Sequence, residues 1–111
     1  MTGLELREFD EKDDELRLEP LGELDLATAG VLDDALRAWL ESSRSDELVV
    51  DLSGVTFMDS TGLRAMLVAS SAASEAGRRL VVIPGDGQAR RVIELARVSE
   101  FLDLRDVAGE P

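Results

Sequence analysis

Leu4 and Leu6, and then Leu16 and Leu18, alternate with charged residues. This period-two pattern predicts two half-buried strands. The acidic stretch between them reads as a hairpin turn, which makes the pair antiparallel, and Pro20 marks the end or an edge of the second strand. From Thr28 to Glu41 the period changes to that of a helix. Val31, Leu32, Ala35, Leu36, Trp39 and Leu40 form the apolar stripe, and Asp33, Asp34, Arg37 and Glu41 take the other face. Trp39 on that stripe reads as core.

After the polar break at Ser42 to Asp46, the run from Leu48 to Leu52 predicts a strand covered on both faces. Ser53 and Gly54 open a turn. A second helix is expected from Ser60 to Ala76, with Leu63, Met66, Leu67 and Ser70 on one side and Gly77 as its C-terminal stop. Leu80 to Ile83 reads as the next buried strand, and strand, helix and strand in this order imply a right-handed parallel crossover. Pro84 to Gly87 form a loop. Ala89, Val92, Ile93 and Ala96 suggest a third helix, and Leu102, Leu104 and Val107 a last short strand. The fold class is α/β: a small, mixed, mostly parallel sheet with helices packed against it. One domain is expected over residues 1–107, with a loose tail at 108–111.

Length agrees with one domain: 111 residues bury a usable core without staples. Composition narrows the chemistry. With no cysteine and no histidine, the chain has no disulfide, no thiolate or imidazole metal ligand, and no imidazole acid–base catalyst. Three Phe, one Trp and no Tyr leave little for a base-stacking surface. No apolar run is long enough to span a bilayer, and the acidic N-terminus does not resemble a signal peptide, so a cytoplasmic location is expected. The net charge of −12 disfavours nucleic acid and anionic membranes and favours basic or mixed protein partners. The cluster Asp10, Glu11, Asp13, Asp14 and Glu15 reads as a solvated loop. Arg78, Arg79, Arg90, Arg91 and Arg97 lie in the second half, and no role is assigned to them.

The most informative stretch runs from Asp51 to Leu67. A buried strand ends, a turn follows, and a helix starts near Asp59 or Ser60. In open α/β sheets, ligands and partners favour the edge at the strands' carboxyl ends. Two readings of the helix start stand side by side. Asp or Ser before a helix is an N-cap, worth about 1 kcal/mol. Equally, free N–H groups and the positive dipole end there would receive a phosphoryl group on Ser60 with little disruption, adding about −1.5 to −2 charges beside Asp59.

Gly22-Glu23-Leu24-Asp25 followed by a helix, and the segment from Leu52 through Ser53-Gly54-Val55-Thr56-Phe57-Met58-Asp59-Ser60-Thr61-Gly62 to Leu63, resemble the STAS domains of bacterial anti-sigma-factor antagonists. The resemblance spans Leu4 to about Val107. It implies a regulator that is not an enzyme. In that family the unphosphorylated antagonist binds an anti-sigma factor that is also a serine kinase, and the sigma factor is released. The kinase phosphorylates the Ser after the motif's Asp, the complex dissociates, and a serine phosphatase of the metal-dependent class reverses the step. Carried over, the phosphoacceptor is Ser60, with Thr61 a poor second. Asp25, Met58, Asp59, Ser60, Thr61, Gly62, Leu63 and Arg64 are then the partner-binding residues. Family members commonly continue into a C-terminal helix, and this sequence ends near where that helix would begin. The free protein is expected to be a monomer with no cofactor and no metal.

Other readings are weaker. The Asp-Ser-Thr-Gly segment is no nucleophile elbow, which needs Gly two residues either side of Ser. Asp25 and Asp59 are a conceivable carboxylate pair or divalent-cation site. Gly85 and Gly87 between a strand and a helix suggest a phosphate loop, but no glycine fingerprint or P-loop Lys accompanies them. The runner-up function is a STAS accessory subunit of a lipid-transport ABC complex.

Overall fold

The structure, a computed structural model, describes residues 3–12, 15–42 and 45–106, with the backbone alone for 10–12. The chain order is β1 (Leu4–Lys12), β2 (Glu15–Leu24), α1 (Ala29–Glu41), β3 (Glu47–Asp51), β4 (Val55–Met58), α2 (Ser60–Glu75), β5 (Arg79–Ile83), α3 (Gln88–Ala96), a 3-10 turn (Ser99–Phe101) and β6 (Asp103–Leu104). The strands form one six-stranded sheet in the order β1-β2-β3-β5-β6, with β4 paired to β2. Only β1 and β2 are antiparallel. All the other pairs are parallel, as strand–helix–strand connections dictate.

The mixed, mostly parallel α/β sheet is the one expected, with differences in detail. The first two strands run well into the acidic stretch, and Asp13 and Asp14 at its centre lie outside the described residues. Pro20 does not end or edge its strand. It sits within β2, opposite Leu6 of β1. On its other side β2 pairs with β3 over Glu15 to Leu18 and with β4 over Gly22 to Leu24. Pro20 falls in the interval between these two ladders, where a missing N–H forfeits no parallel-ladder bond. Val31 leaves the apolar stripe of α1 and is 47% exposed, whereas Leu32, Leu36 and Trp39 are buried. The residues read as a turn after Gly54 form the four-residue strand β4. Leu104 ends β6, and Val107 and the tail lie outside the described residues.

The core has two unequal sides. Alternation along β3 and β5 sends Leu48, Val50, Leu80 and Val82 to one face, where they pack with Leu32, Leu36 and Trp39 of α1, Leu63, Met66 and Ala69 of α2, and Ile93 of α3. Val49, Val81 and Ile83 form a separate cluster on the opposite face. No residue of the three helices belongs to that second cluster. Arginines roof it instead. Arg17 on β2 bonds Asp51 on β3 at 2.5 Å and Glu19 at 2.8 Å. Arg105, just after β6, reaches across β5 to Glu47 on β3 at 3.1 Å. Arg79 bridges Glu47 and Asp103 at 3.8 and 2.7 Å. The middle of β3 is therefore buried on both faces, as its apolar run predicts, but its second cover is made of charged side chains with long apolar stems.

Candidate functional site

Strands β2 and β4 run parallel and end together, with Leu24 paired to Met58. The backbone N–H of Asp59 donates to the Leu24 carbonyl at 3.3 Å, which locks the two exits side by side. The next residues out, Asp25 and Asp59, thus leave the sheet from the same edge, at the strands' carboxyl ends. Each carboxylate shapes its own turn. Asp25 Oδ1 accepts from Ala27 N–H at 3.0 Å and lies 3.3 Å from Thr28 Oγ1. The Asp25 carbonyl accepts from Ala29 N–H at 2.8 Å, which starts α1. Thr28 Oγ1 also donates to the Glu23 carbonyl at 2.6 Å and accepts from Asp25 N–H at 3.0 Å.

Asp59 is the N-cap of α2. With an extended backbone (φ −110°, ψ −171°), its Oδ1 accepts from Thr61 N–H at 2.9 Å and from Gly62 N–H at 3.2 Å. Ser60 is the first residue of the helix and is exposed. This revises one part of the sequence reading: two of the first-turn N–H groups already serve Asp59. A phosphoryl group on Ser60 would meet a helix start whose donors hold a carboxylate, so its charge would add to that of Asp59.

The expected site residues divide by burial. Ser60 and Arg64 are exposed, four residues apart on one face of α2, and Asp25, Asp59 and Thr61 are half-buried. Met58, Gly62 and Leu63 are buried, with Met58 and Leu63 in the main core. In the free domain Met58 and Leu63 point inward and anchor the segment. Gly62 lies so close to the strand ends that a Cβ there would stand 2.8 Å from the Leu24 carbonyl oxygen and 3.0 Å from Met58 Cγ. The first turn of α2 is seated directly on the edge where β2 and β4 end.

Two residues that the sequence reading passed over belong to the same edge. Leu26, next to Asp25, is 80% exposed, and Phe57, two residues before Asp59, is 42% exposed. The signal for Leu26 was present: an apolar residue directly after a strand-ending Asp and before the helical stripe begins. Among the described residues no group of three or more Asp or Glu side chains is arranged to hold a metal ion. Of the two glycines after β5, Gly85 has a packing reason, and a Cβ at Gly87 would meet nothing nearer than the Val55 carbonyl oxygen at 3.9 Å. Gly85 has φ +74°, and a Cβ there would lie 2.8 Å from the Ser53 Cα. The loop is also held from within, since Arg90 donates to the Gly85 carbonyl and to Asp106.

Residues 8–106 match the family model described as "Mlab, STAS domain". The chain belongs to the STAS domain family. Within it, the chain is 28% identical to an anti-sigma-B factor antagonist of Listeria monocytogenes over 108 residues, which cover 97% of this chain and 92% of the relative. A crystal structure of an anti-sigma factor antagonist from Mycobacterium paratuberculosis superimposes with a TM-score of 0.79 at 28% identity, covering 95% of this chain and 87% of that one. The unphosphorylated form of the anti-sigma factor antagonist SpoIIAA shares the fold, with a TM-score of 0.78 at 13% identity over 95% of this chain and 90% of that one. STAS membership fixes the architecture of the edge around Ser60, and the residues on that edge carry the functional reading.

Proposed function

We propose that this STAS domain is an anti-sigma factor antagonist, a binding protein and not an enzyme, that acts in the cytoplasm by partner switching. Its unphosphorylated form binds an anti-sigma factor that is also a serine kinase. Phosphorylation of Ser60 ends that binding, and a metal-dependent serine phosphatase restores it. The observation that carries this reading is Ser60 itself: exposed, first in α2, and flanked by Asp59 at an edge shared with Asp25. The relatives' names supply the partner class.

The switch works by charge. The partner-facing surface consists of Asp25, Asp59, Ser60, Thr61 and Arg64, with Leu26 and Phe57 as apolar anchors. A phosphoserine brings about −1.5 to −2 charges to this surface. Because Asp59 Oδ1 already takes the Thr61 and Gly62 N–H groups, the new charge adds to that of Asp59 and has to be desolvated for a partner to dock. Binding is lost while the fold stays intact.

Phosphoryl transfer tests the proposal. The protein and its Ser60→Ala variant are incubated with ATP and source-cell lysate, and the modified peptide is mapped by mass spectrometry. Phosphate on Ser60, absent from the variant, is the expected result. Ser60→Ala should retain the kinase on a pull-down, and Ser60→Asp should bind it at least tenfold more weakly, about 1.4 kcal/mol. Equal retention of both variants sinks the electrostatic switch. Co-purification with a transporter ATPase, with no phosphorylation by a kinase active on another substrate, replaces the proposal by the lipid-transport subunit.

A further inference from the structure

At the other end of α2 from Ser60, about 22 Å along the helix at 1.5 Å per residue, an open groove of about 850 Å³ runs between α2 and the 3-10 turn. Leu67, Leu80, Val98 and Leu102 form its floor. Phe101 stands at its mouth, 64% exposed. Phe101 lines the same groove as Leu67 and Val98, and a contiguous apolar patch rimmed by polar residues marks an interaction site.

The charges around the groove are not balanced. Its cations are committed elsewhere. Arg78 donates to the Trp39 and Ser42 carbonyls at 2.6 and 2.5 Å and lies over the Trp39 ring. Arg79 is bound to Asp103 and Glu47. The rim carboxylates Glu75 and Glu100 are exposed and have no ion pair among the described residues. The uncompensated charge at the mouth is therefore negative, on a chain whose net charge is −12.

We propose that this groove is a second docking site, which takes a basic amphipathic helix from a partner protein. Its apolar face seats on Leu67, Val98 and Phe101, and its Lys or Arg side chains reach Glu75 and Glu100. A second copy of this chain fits less well, because it brings the same −12 charge to an acidic rim. The site does not depend on the state of Ser60.

The test is an amide NMR titration of the full chain with a synthetic 14-residue Leu/Lys amphipathic helix as probe. The same pattern with Glu in place of Lys serves as control. Saturable shifts confined to Leu67–Glu75 and Val98–Leu102 are expected with the basic probe, and none with the acidic one. The double variant Glu75→Lys/Glu100→Lys should weaken binding at least tenfold, and Phe101→Ser at least threefold. Both substitutions are at exposed positions, and dispersed amide spectra would confirm that the variants fold. Ser60→Asp should bind the probe within twofold of the parent, which separates this site from the proposed switch. Shifts scattered over the acidic surface without saturation, or affinity unchanged in the double variant, overturn the proposal. Shifts of the groove residues on raising protein concentration without peptide assign the groove to a second copy and overturn it equally.

Discussion

The carboxylate of Asp59 accepts from Thr61 and Gly62 N–H groups, and an amide oxygen would accept the same bonds without the charge. Asp59→Asn should therefore melt close to the parent, while Asp59→Ala should lose about 1 kcal/mol. That loss lowers Tm by roughly 4–8 °C in a domain of this size, as read by far-UV circular dichroism. An Asn variant as unstable as the Ala variant would mean that the charge on the helix dipole, and not the hydrogen bonds, makes the cap. Gly62 poses a packing question. A Cβ there meets the Leu24 carbonyl oxygen and Met58 Cγ, so Gly62→Ala is an overpacking substitution. It costs about 1–3 kcal/mol against about 1 kcal/mol gained in helix propensity. Urea denaturation should show a net loss, larger for Gly62→Val. The residue types around Ser60 made this site legible in the sequence, because an Asp-Ser pair at a strand-to-helix junction is informative locally. The direction of each side chain was only partly so. Leu63 was legible as part of the helix's apolar side, but Met58 turns inward and Gly62 sits tight against the strand ends because β2 and β4 end together, a long-range pairing that leaves no local mark.

Among the elements, α1 ends without a basic residue in its last turn, and Arg78 from the approach to β5 supplies one. Its guanidinium donates to the Trp39 and Ser42 carbonyls and stacks 5.0 Å from the Trp39 ring centroid. Trp39 in turn donates from Nε1 to the buried Ser45 hydroxyl at 2.9 Å. Arg78→Met keeps an apolar stem and loses both charge-assisted bonds, each worth about 1.5–3 kcal/mol. A loss of at least about 1.5 kcal/mol in urea denaturation is expected. Arg78→Lys should recover only part of it, because a point charge cannot fork to two carbonyls. Full recovery by Lys would reduce the contact to a simple charge at a helix end. The same elements show how far periodicity reaches. Period two found β1 and β2, and period 3.6 found α1, α2 and α3, because each buries one stripe, whereas β3 and β5, covered on both faces, were found as continuous apolar runs. Periodicity missed β4, whose four residues have only their two ends buried, so neither period is visible. It also placed Val31 in the stripe of α1. The residue lies in the first turn, before Leu32 and Leu36 set the buried direction.

On the scale of the whole molecule, the helix-free face of the sheet tests how charged side chains protect an apolar cluster. Arg17 and Asp51 are 15% and 13% exposed and 2.5 Å apart, whereas Arg79 and Asp103 are 60% and 41% exposed at 2.7 Å. Distance alone would rank them alike. Solvent decides otherwise: the exposed pair is screened and worth about 0–1 kcal/mol, while removing Arg17 leaves Asp51 half-desolvated and uncovers Val49. Arg17→Ala should cost about 1–3 kcal/mol and Arg79→Ala less than about 1 kcal/mol. The effects should also separate with salt. At about 1 M NaCl the Debye length falls to about 3 Å, so the small Arg79 effect should vanish while most of the Arg17 effect persists. The measurement is urea denaturation of both variants at low and high salt. Equal losses that fade together would show a solvated lattice lying over the sheet without sealing it. Unequal losses, of which only the Arg79 one fades in salt, would show that Arg17 closes the face as a helix would.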